Sequence, residues 1–403
     1  MMQSRKKKVL FVVHQLNYGG VQKALLTALN AIDYTQNDVT LYVRKNRVHL
    51  LPYLNKQVSK VIINQDTTHY YRKPYVIYLL ICKHVGKLFK RTKWSASIQK
   101  KLVAYLNKSQ MIYEKNHYFC SDEEYDVAIS YISGYTAQFV AQYVKAKKKV
   151  MFYHASTDEN HALHETIMSY FDCIVGVNAN VQKKLGEFYP NFLNKMTFVE
   201  NYVDATEVFE KSRACASCAG SSREGKIILC SCGRLAQVKG FDLAVNTARI
   251  LKNKQIPFVW YFVGDGPERL KLEQLIKKYG LVNDVIITGM QDNPYPYIAG
   301  CDIYVQPSYE EAHPLAIIEA LILCRPVVTT ATVGGQSLIQ QGVNGLIADI
   351  DEQSLANAII RMMKEETLHH KMVEYLQNID HSDDFEKYKK RWRELLEVNK
   401  NEI

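Results

Sequence analysis

A chain of 403 residues, 47% hydrophobic and 23% charged, is too long for one ordinary hydrophobic core, so two domains are expected. It contains no run of 18 apolar residues, which argues against a transmembrane helix. Nine cysteines, an odd number lying partly in apolar strand-like runs, suit reduced core thiols better than a disulfide framework, and a net charge of +10 points towards anionic partners.

The chain opens with MMQSRKKKVLFVVHQL, a basic cluster before an apolar stretch that superficially imitates a signal peptide. The apolar part, VLFVV, is too short for one and His14 follows at once, so it reads as a first core strand and a cytoplasmic location is expected. KKKVLFVVHQLNYGGVQKALLTALNAI then gives a strand, a turn at Gly19-Gly20 and an amphipathic helix, the opening β-α unit of a doubly wound sheet. VTLYV and KVIIN read as the next strands. Between Thr67 and Tyr113 there are ten Lys or Arg and no Asp or Glu, interleaved with aromatic and aliphatic residues. Such a stretch is either a solvated helical face or a surface for anionic partners such as a lipid leaflet.

Further strands are expected at DVAISYI, KVMFYHA, CIVGVN and MTFVEN. ATEVFEKSRACASCAGSSREG, residues 205–225, is polar, rich in small residues and aperiodic, as a linker would be. Cys215 and Cys218 precede Cys230 and Cys232, four possible zinc ligands. The second pair has C-x-C spacing rather than C-x2-C and lies at a strand end, so core thiols are the preferred reading. GKIILCSCGRLAQVKGFDLAVNTARILKN repeats the opening β-α unit about half a chain later, with its helix from about Phe241. FVWYFVGDG, DVIITG, CDIYVQPS, PVVTT and GLIAD continue the strands, and DFEKYKKRWRELLEVNK closes the chain as a charged amphipathic helix with apolar positions at Phe385, Tyr388, Trp392, Leu395 and Leu396. The expected division is a first α/β domain at 1–203, a linker at 204–225 and a second α/β domain at 226–383, with the helix at 384–403 packing back on the first.

The chemistry concentrates in CDIYVQPSYEEAHPLAIIEAL. A strand ends at Gln306-Pro307-Ser308, a short loop follows, and Pro314 suits the first turn of a helix. Glu311 in the loop and Glu319 in the helix have E-x7-E spacing, and Glu319 interrupts an otherwise apolar run, where an unpartnered carboxylate would cost several kcal/mol. Upstream, GRLAQVKG offers Arg234 and Lys239 in another strand-to-helix loop. Open α/β sheets bind ligands at the carboxyl ends of their strands. Two cations and a helix N-terminus there suit a diphosphate, and two carboxylates suit sugar hydroxyls.

With these motifs the sequence resembles the GT-B-fold retaining glycosyltransferases of the large group called glycosyltransferase family four, over nearly the whole chain and most densely from Lys226 to Asp349. The resemblance implies two Rossmann-like domains facing each other across a cleft. It implies Arg234 and Lys239 at the donor diphosphate, Glu311 at the transferred sugar, with Ala312, His313, Pro314 and Leu315 beside it, and Glu319 at the nucleotide ribose, whose hydroxyls would explain the burial of that carboxylate. Gly19 and Gly20 match the family's glycine-rich loop near phosphate and acceptor, His154 in MFYHAS its histidine near the reacting sugar, and Gly264, Gly266 and Met290 the loops around the base. No cofactor and no metal ion are implied. The donor would be a nucleotide-diphosphate sugar, with a uridine diphosphate sugar favoured, and the acceptor a glycan or lipid-linked hydroxyl at an anionic membrane surface, with no nucleic-acid partner. Three positions depart from the family pattern: Ala312 where glycine is usual, Gln22 where an acid often follows the glycines, and His313 where small or aromatic residues are common. A nucleotide-sugar epimerase, a phosphorylase of similar fold, and a non-enzymatic protein for anionic surfaces or nucleic acid are the alternatives.

Overall fold

The computed structural model describes residues 5–64, 108, 111–112, 114–117, 123–155, 161–213 and 225–397. Of the basic stretch at 67–113 all but Lys108, Met111 and Ile112 lies outside the described residues, as do Cys215, Cys218 and residues 214–224, half of the expected linker.

Two parallel sheets organise the chain. The first has the order β3-β2-β1-β4-β5-β6-β7. Its strands are β1 (Lys7–Val13), β2 (Asn37–Val43), β3 (Lys60–Ile63), β4 (Tyr125–Ser130), β5 (Ala146–Tyr153), β6 (Cys173–Gly176) and β7 (Met196–Phe198). The second, of order β10-β9-β8-β11-β12-β13, contains β8 (Ile227–Cys232), β9 (Phe258–Val263), β10 (Val285–Gly289), β11 (Ile303–Gln306), β12 (Val327–Thr330) and β13 (Gly345–Ala348). Strands covered on both faces by helices must be apolar on both faces. VLFVV in β1 is accordingly buried throughout, as is β11.

Each sheet reverses its winding beside its first strand, between β1 and β4 and between β8 and β11. Helices leave on opposite sides of the sheet at such a point, and the carboxyl ends of the two strands flank a crevice. The fold is therefore the expected pair of Rossmann-like domains, and it sets two crevices as the places where ligands can approach backbone.

The helix Asp384–Leu395 returns to the first domain. Trp392 is fully buried there, stacked on Phe152 at 5.4 Å and 11° and packed against Phe11 at 5.8 Å. Tyr388, Leu395 and Leu396 join the same cluster, and Phe385 packs on its edge. The negative end of the helix is met by lysines of the first domain: Lys148 Nζ donates to the carbonyls of Leu395 (2.9 Å) and Glu397 (2.6 Å), and Lys7 Nζ to that of Leu396 (3.3 Å). Trp392→Ala should destabilise the first domain by about 3–5 kcal/mol, the usual cost of emptying a buried aromatic site, measured as the denaturant midpoint of the intact chain.

Candidate active site

The loop after β8 carries Arg234 and Lys239 because Gly240 lets it turn. Gly240 has φ 64, in the left-handed region, and caps the helix Phe241–Asn253. A Cβ there would lie 1.9 Å from the carbonyl oxygen of Pro307, so only glycine allows the loops after β8 and β11 to meet. Tyr309 N completes the junction by donating to the carbonyl of Val238 at 3.0 Å.

That junction brings Lys239 to Glu311. Lys239 Nζ donates to Glu311 Oε1 in a short ion pair. The same oxygen accepts from Ser308 Oγ (2.9 Å) and Gln306 Nε2 (3.2 Å). Gln306 is in turn oriented by Tyr304, whose hydroxyl donates to its Oε1 at 2.9 Å. All three donors converge on Oε1, and among the described residues none reaches Oε2. Arg234 is exposed and joins no ion pair among the described residues. Of the two expected diphosphate cations, one is thus already offset by a carboxylate and the other is free.

Glu319 sits in the helix Leu315–Ile322, only 4% exposed. Its Oε1 accepts from Tyr295 OH at 3.3 Å and faces Lys23 Nζ at 3.4 Å, and Lys23 also stands 5.7 Å over the Tyr295 ring. Lys23 lies in the helix Gly20–Asn30, beyond the Gly19-Gly20 turn of the first domain. Two protein donors, one from each domain, thus reach Oε1 of this buried carboxylate, beside any hydroxyls of a ligand that would complete its hydrogen bonds. Neither Lys23 nor Tyr295 was among the expected site residues. Tyr295 follows the β10 loop, and nothing in its sequence context distinguishes it.

Pro314 stands at the N-cap, with the helix starting at Leu315, one position later than its sequence suggested. Ala312 is buried against a cluster of the first domain, and its carbonyl accepts from Asn178 Nδ2 at 2.7 Å. Asn178 Nδ2 also reaches His313 Nδ1 (3.1 Å) and Ser337 Oγ (3.2 Å), while Asn178 Oδ1 caps the helix Ala179–Phe188 through Val181 N. Asn178 was readable in the sequence as a helix cap, but its hold on the loop of the other domain was not.

His154, at the end of β5, packs against the rings of Tyr131 (5.1 Å) and Phe152 (6.0 Å). His154 and His313 each have a buried Nε2 without a partner among the described residues. Burial pushes both imidazoles down to about 4; for His154 the nearby His313 adds to this and the Tyr131 backbone opposes it, and for His313 the Asn201 backbone opposes it. Both are therefore neutral near pH 7. Gly264 and Gly289 bridge at the ends of β9 and β10, with Met290 exposed beside them. Gly266 lies against the backbone of Leu235, which ties this loop to the one carrying Arg234. Cys230 and Cys232 have sulfurs 3.8 Å apart on β8, and among the described residues no group of three or more potential ligands could hold a metal ion.

A family model described as glycosyl transferases group 1 matches residues 219–379. The second domain is a group 1 glycosyltransferase domain. Both carboxylates, Arg234 and Lys239 belong to it. The chain is 27% identical over 215 residues to the lipopolysaccharide core biosynthesis glycosyltransferase LpsE of Rhizobium meliloti, over 52% of this chain and 60% of that protein. It is 28% identical over 178 residues to N-acetyl-alpha-D-glucosaminyl L-malate synthase of Bacillus anthracis, covering 44% and 46%. The matched segments thus span less than two thirds of these relatives' own lengths. Among solved structures, Anabaena HepE in complex with UDP-glucose superimposes with a TM-score of 0.71 at 16% identity, over 97% of this chain and 99% of that one. TarM does so with 0.70 at 13%, over 99% and 100%. At such identities the likeness is one of fold, and it extends the GT-B architecture from the group 1 domain to almost the whole chain.

The two neutral histidines make stability depend on pH. Their folded values lie below the ordinary value of 6.5, so between pH 6.5 and 4 the unfolded chain takes up protons that the folded chain refuses. Their contribution is complete above pH 6.5 and is lost as pH falls to about 4. The urea midpoint should fall across that window, and less steeply in His154→Asn and His313→Asn variants than in the parent.

Proposed function

We propose that the chain transfers a sugar from a nucleotide-diphosphate sugar, a uridine diphosphate sugar by preference, to an acceptor hydroxyl in the building of a polysaccharide or related glycan, with retention at the anomeric carbon. The observation that carries this reading is the clamped Glu311. Three donors hold its Oε1 and, among the described residues, none reaches Oε2; the loop that supplies Lys239 also carries Arg234, which joins no ion pair among the described residues, and the Leu315–Ile322 helix starts four residues after Glu311. A carboxylate fixed in that way suits a sugar hydroxyl, and the cation and helix start suit the phosphates leaving from that sugar.

In this reading Arg234 and Lys239 stabilise the diphosphate as its bond to the sugar breaks, with Lys239 bridging phosphate and Glu311. Glu319 accepts from the ribose hydroxyls once they displace Lys23. His154, neutral and partnerless at Nε2, offers the sugar a hydrogen bond rather than a charge. No side chain is assigned as a nucleophile. The acceptor, a glycan or a lipid-linked saccharide, enters from the first domain, and the basic stretch at 67–113 would meet an anionic membrane surface. HepE, whose structure is known in complex with UDP-glucose, and LpsE, a glycosyltransferase of lipopolysaccharide core biosynthesis, support the choice of donor and pathway class.

Lys239→Ala and Glu319→Gln should each lower the rate of transfer by one to two orders of magnitude, the effect of about 1.5–3 kcal/mol for one charge-assisted contact. Donor consumption and glycan formation by mass spectrometry, with a panel of nucleotide sugars and a membrane extract, provide the measurement. Turnover at the parental rate in a folded Lys239→Ala protein would remove the diphosphate assignment, and donor isomerised without acceptor would favour an epimerase. Because side-chain cations and a helix start take the leaving charge, activity should survive EDTA. Loss of activity that Mg²⁺ or Mn²⁺ restores would contradict that division of labour.

A further inference from the structure

No step of the proposed transfer uses His313, a histidine where the family has small or aromatic residues. It lies two residues after Glu311, in the loop between β11 and the Leu315–Ile322 helix. Among the described residues its ring has one hydrogen-bond partner, Asn178, which follows β6 of the first domain. What that partner is able to do decides the chemical state of the ring.

The Asn178 amide is oriented by backbone on both sides. Its Oδ1 accepts from Val181 N at 2.8 Å, and a backbone N–H only donates. Its Nδ2 donates to the Ala312 carbonyl at 2.7 Å, and a carbonyl only accepts. The amide therefore cannot be turned over. Nδ2 also stands 3.1 Å from His313 Nδ1 and 3.2 Å from Ser337 Oγ. The Ser337 hydroxyl donates to the Gly334 carbonyl at 2.8 Å, so its oxygen is free to accept. Nδ2 has hydrogens and no lone pair to offer, so His313 Nδ1 faces it bare. A neutral imidazole carries its proton on one nitrogen, and here that nitrogen is Nε2.

That proton has no acceptor. Nε2 is buried, and among the described residues nothing meets it in hydrogen-bonding geometry. The Asn201 backbone favours the charged ring, but burial outweighs it and the ring stays neutral. No charged side chain is among the influences on His313, and the titratable group whose value its charge would lower, His154, is neutral as well. A buried N–H left unsatisfied costs free energy that an acceptor from a ligand restores. Asn178 belongs to the first domain and His313 to the second, so the donor is fixed only while the two domains meet.

We propose that Asn178 is a positioning residue for the transfer: it locks His313 as the tautomer protonated at Nε2, whose N–H donates to an oxygen of the saccharide held at Glu311. The saccharide rests on the transferase reading above; the tautomer does not. A fixed donor selects a sugar that presents an oxygen lone pair at that place. It works against a deoxy sugar, which leaves the N–H unsatisfied, and against one bearing an ammonium group there.

Nitrogen-15 NMR of the full chain, labelled at its 12 histidines, reads which ring nitrogen is protonated, and His313→Gln identifies the His313 signals. In the parent at neutral pH the proton should sit on Nε2. Asn178→Asp keeps an acceptor for Val181 N, and its carboxylate draws a proton to His313 Nδ1, so the folded value of the ring rises. Below that value the ring is charged and retains Nε2–H. Above it the remaining proton stays on Nδ1 and Nε2 is bare. Transfer by Asn178→Asp should therefore fall about tenfold as pH rises through that value, the effect of one hydrogen bond. The parent should show no such limb, and neither should Asn178→Asp/His313→Gln. A purely structural role for Asn178 would lower activity alike at every pH. Asn178→Ser, which keeps a cap but is too short to reach His313, should spread the proton over both ring nitrogens. A parental proton on Nδ1, an unchanged tautomer in both variants, a flat profile in folded Asn178→Asp, or a limb that survives without His313 overturns the proposal. Absence of transfer from every nucleotide sugar counts against the transferase reading alone, since the nitrogen measurement needs no turnover.

Discussion

The cleft depends on the pairing of two buried carboxylates. A bare carboxylate removed from water costs several kcal/mol, so each must be met by donors held at a fixed place. Glu311 obtains Lys239, Ser308 and Gln306, which requires the loops after β8 and β11 to touch. That contact in turn requires a residue at 240 without a side chain. Glu319 obtains Tyr295 from its own domain and Lys23 from the other. Local turn geometry, strand order and domain apposition thus follow from where two negative charges are placed.

The order of the sheets makes this pairing possible. Arg234 and Lys239 follow β8 while Glu311 and Glu319 follow β11, and these strands are neighbours only because the sheet reverses its winding between them. Their residues are some 70 positions apart in the chain but adjacent at the crevice. The first domain repeats this arrangement around β1, with its glycine turn and helix start facing the same space. Asn178 joins the two halves by bonding to the loop that carries Ala312 and His313. The methyl group of Ala312 in that loop finds apolar cover in the first domain.

The alternation of apolar runs and helical periods made the strands legible, since a buried parallel strand has few ways to look in sequence. VLFVV, FVWYFV and IYVQ are such cases. The return of the last helix was legible from its apolar positions, which leave Trp392 exposed unless another domain covers it. The positions of Arg234, Lys239, Glu311 and Glu319 at strand ends could be read as well. Their partners could not. Lys23 is 296 residues from Glu319, and Asn178 is 134 from Ala312. Such pairs depend on how one domain sits against the other, and no local propensity encodes that. For Lys239 the sequence showed a cation but not the carboxylate that offsets it.

The two carboxylate–lysine pairs differ in a way that bears on the order of events in the cleft. Lys239 is 29% exposed and Glu311 9%, and two neutral donors share the carboxylate oxygen. That pair is part of a network, and losing one member would leave the others poorly satisfied. Lys23 is 46% exposed, at 3.4 Å, and held by a long side chain from the opposite domain. An ion pair so open to solvent is worth about 0–1 kcal/mol. A hydroxyl-bearing ligand that donates to Glu319 can therefore displace Lys23 at small cost, since Tyr295 remains as a partner and the ammonium returns to water. Glu311 and Lys239, by contrast, sit in a network whose other members would lose partners if the pair opened. One carboxylate is fixed by its own domain's loops, and the other is partnered in part by a cation that a hydroxyl-bearing ligand could replace.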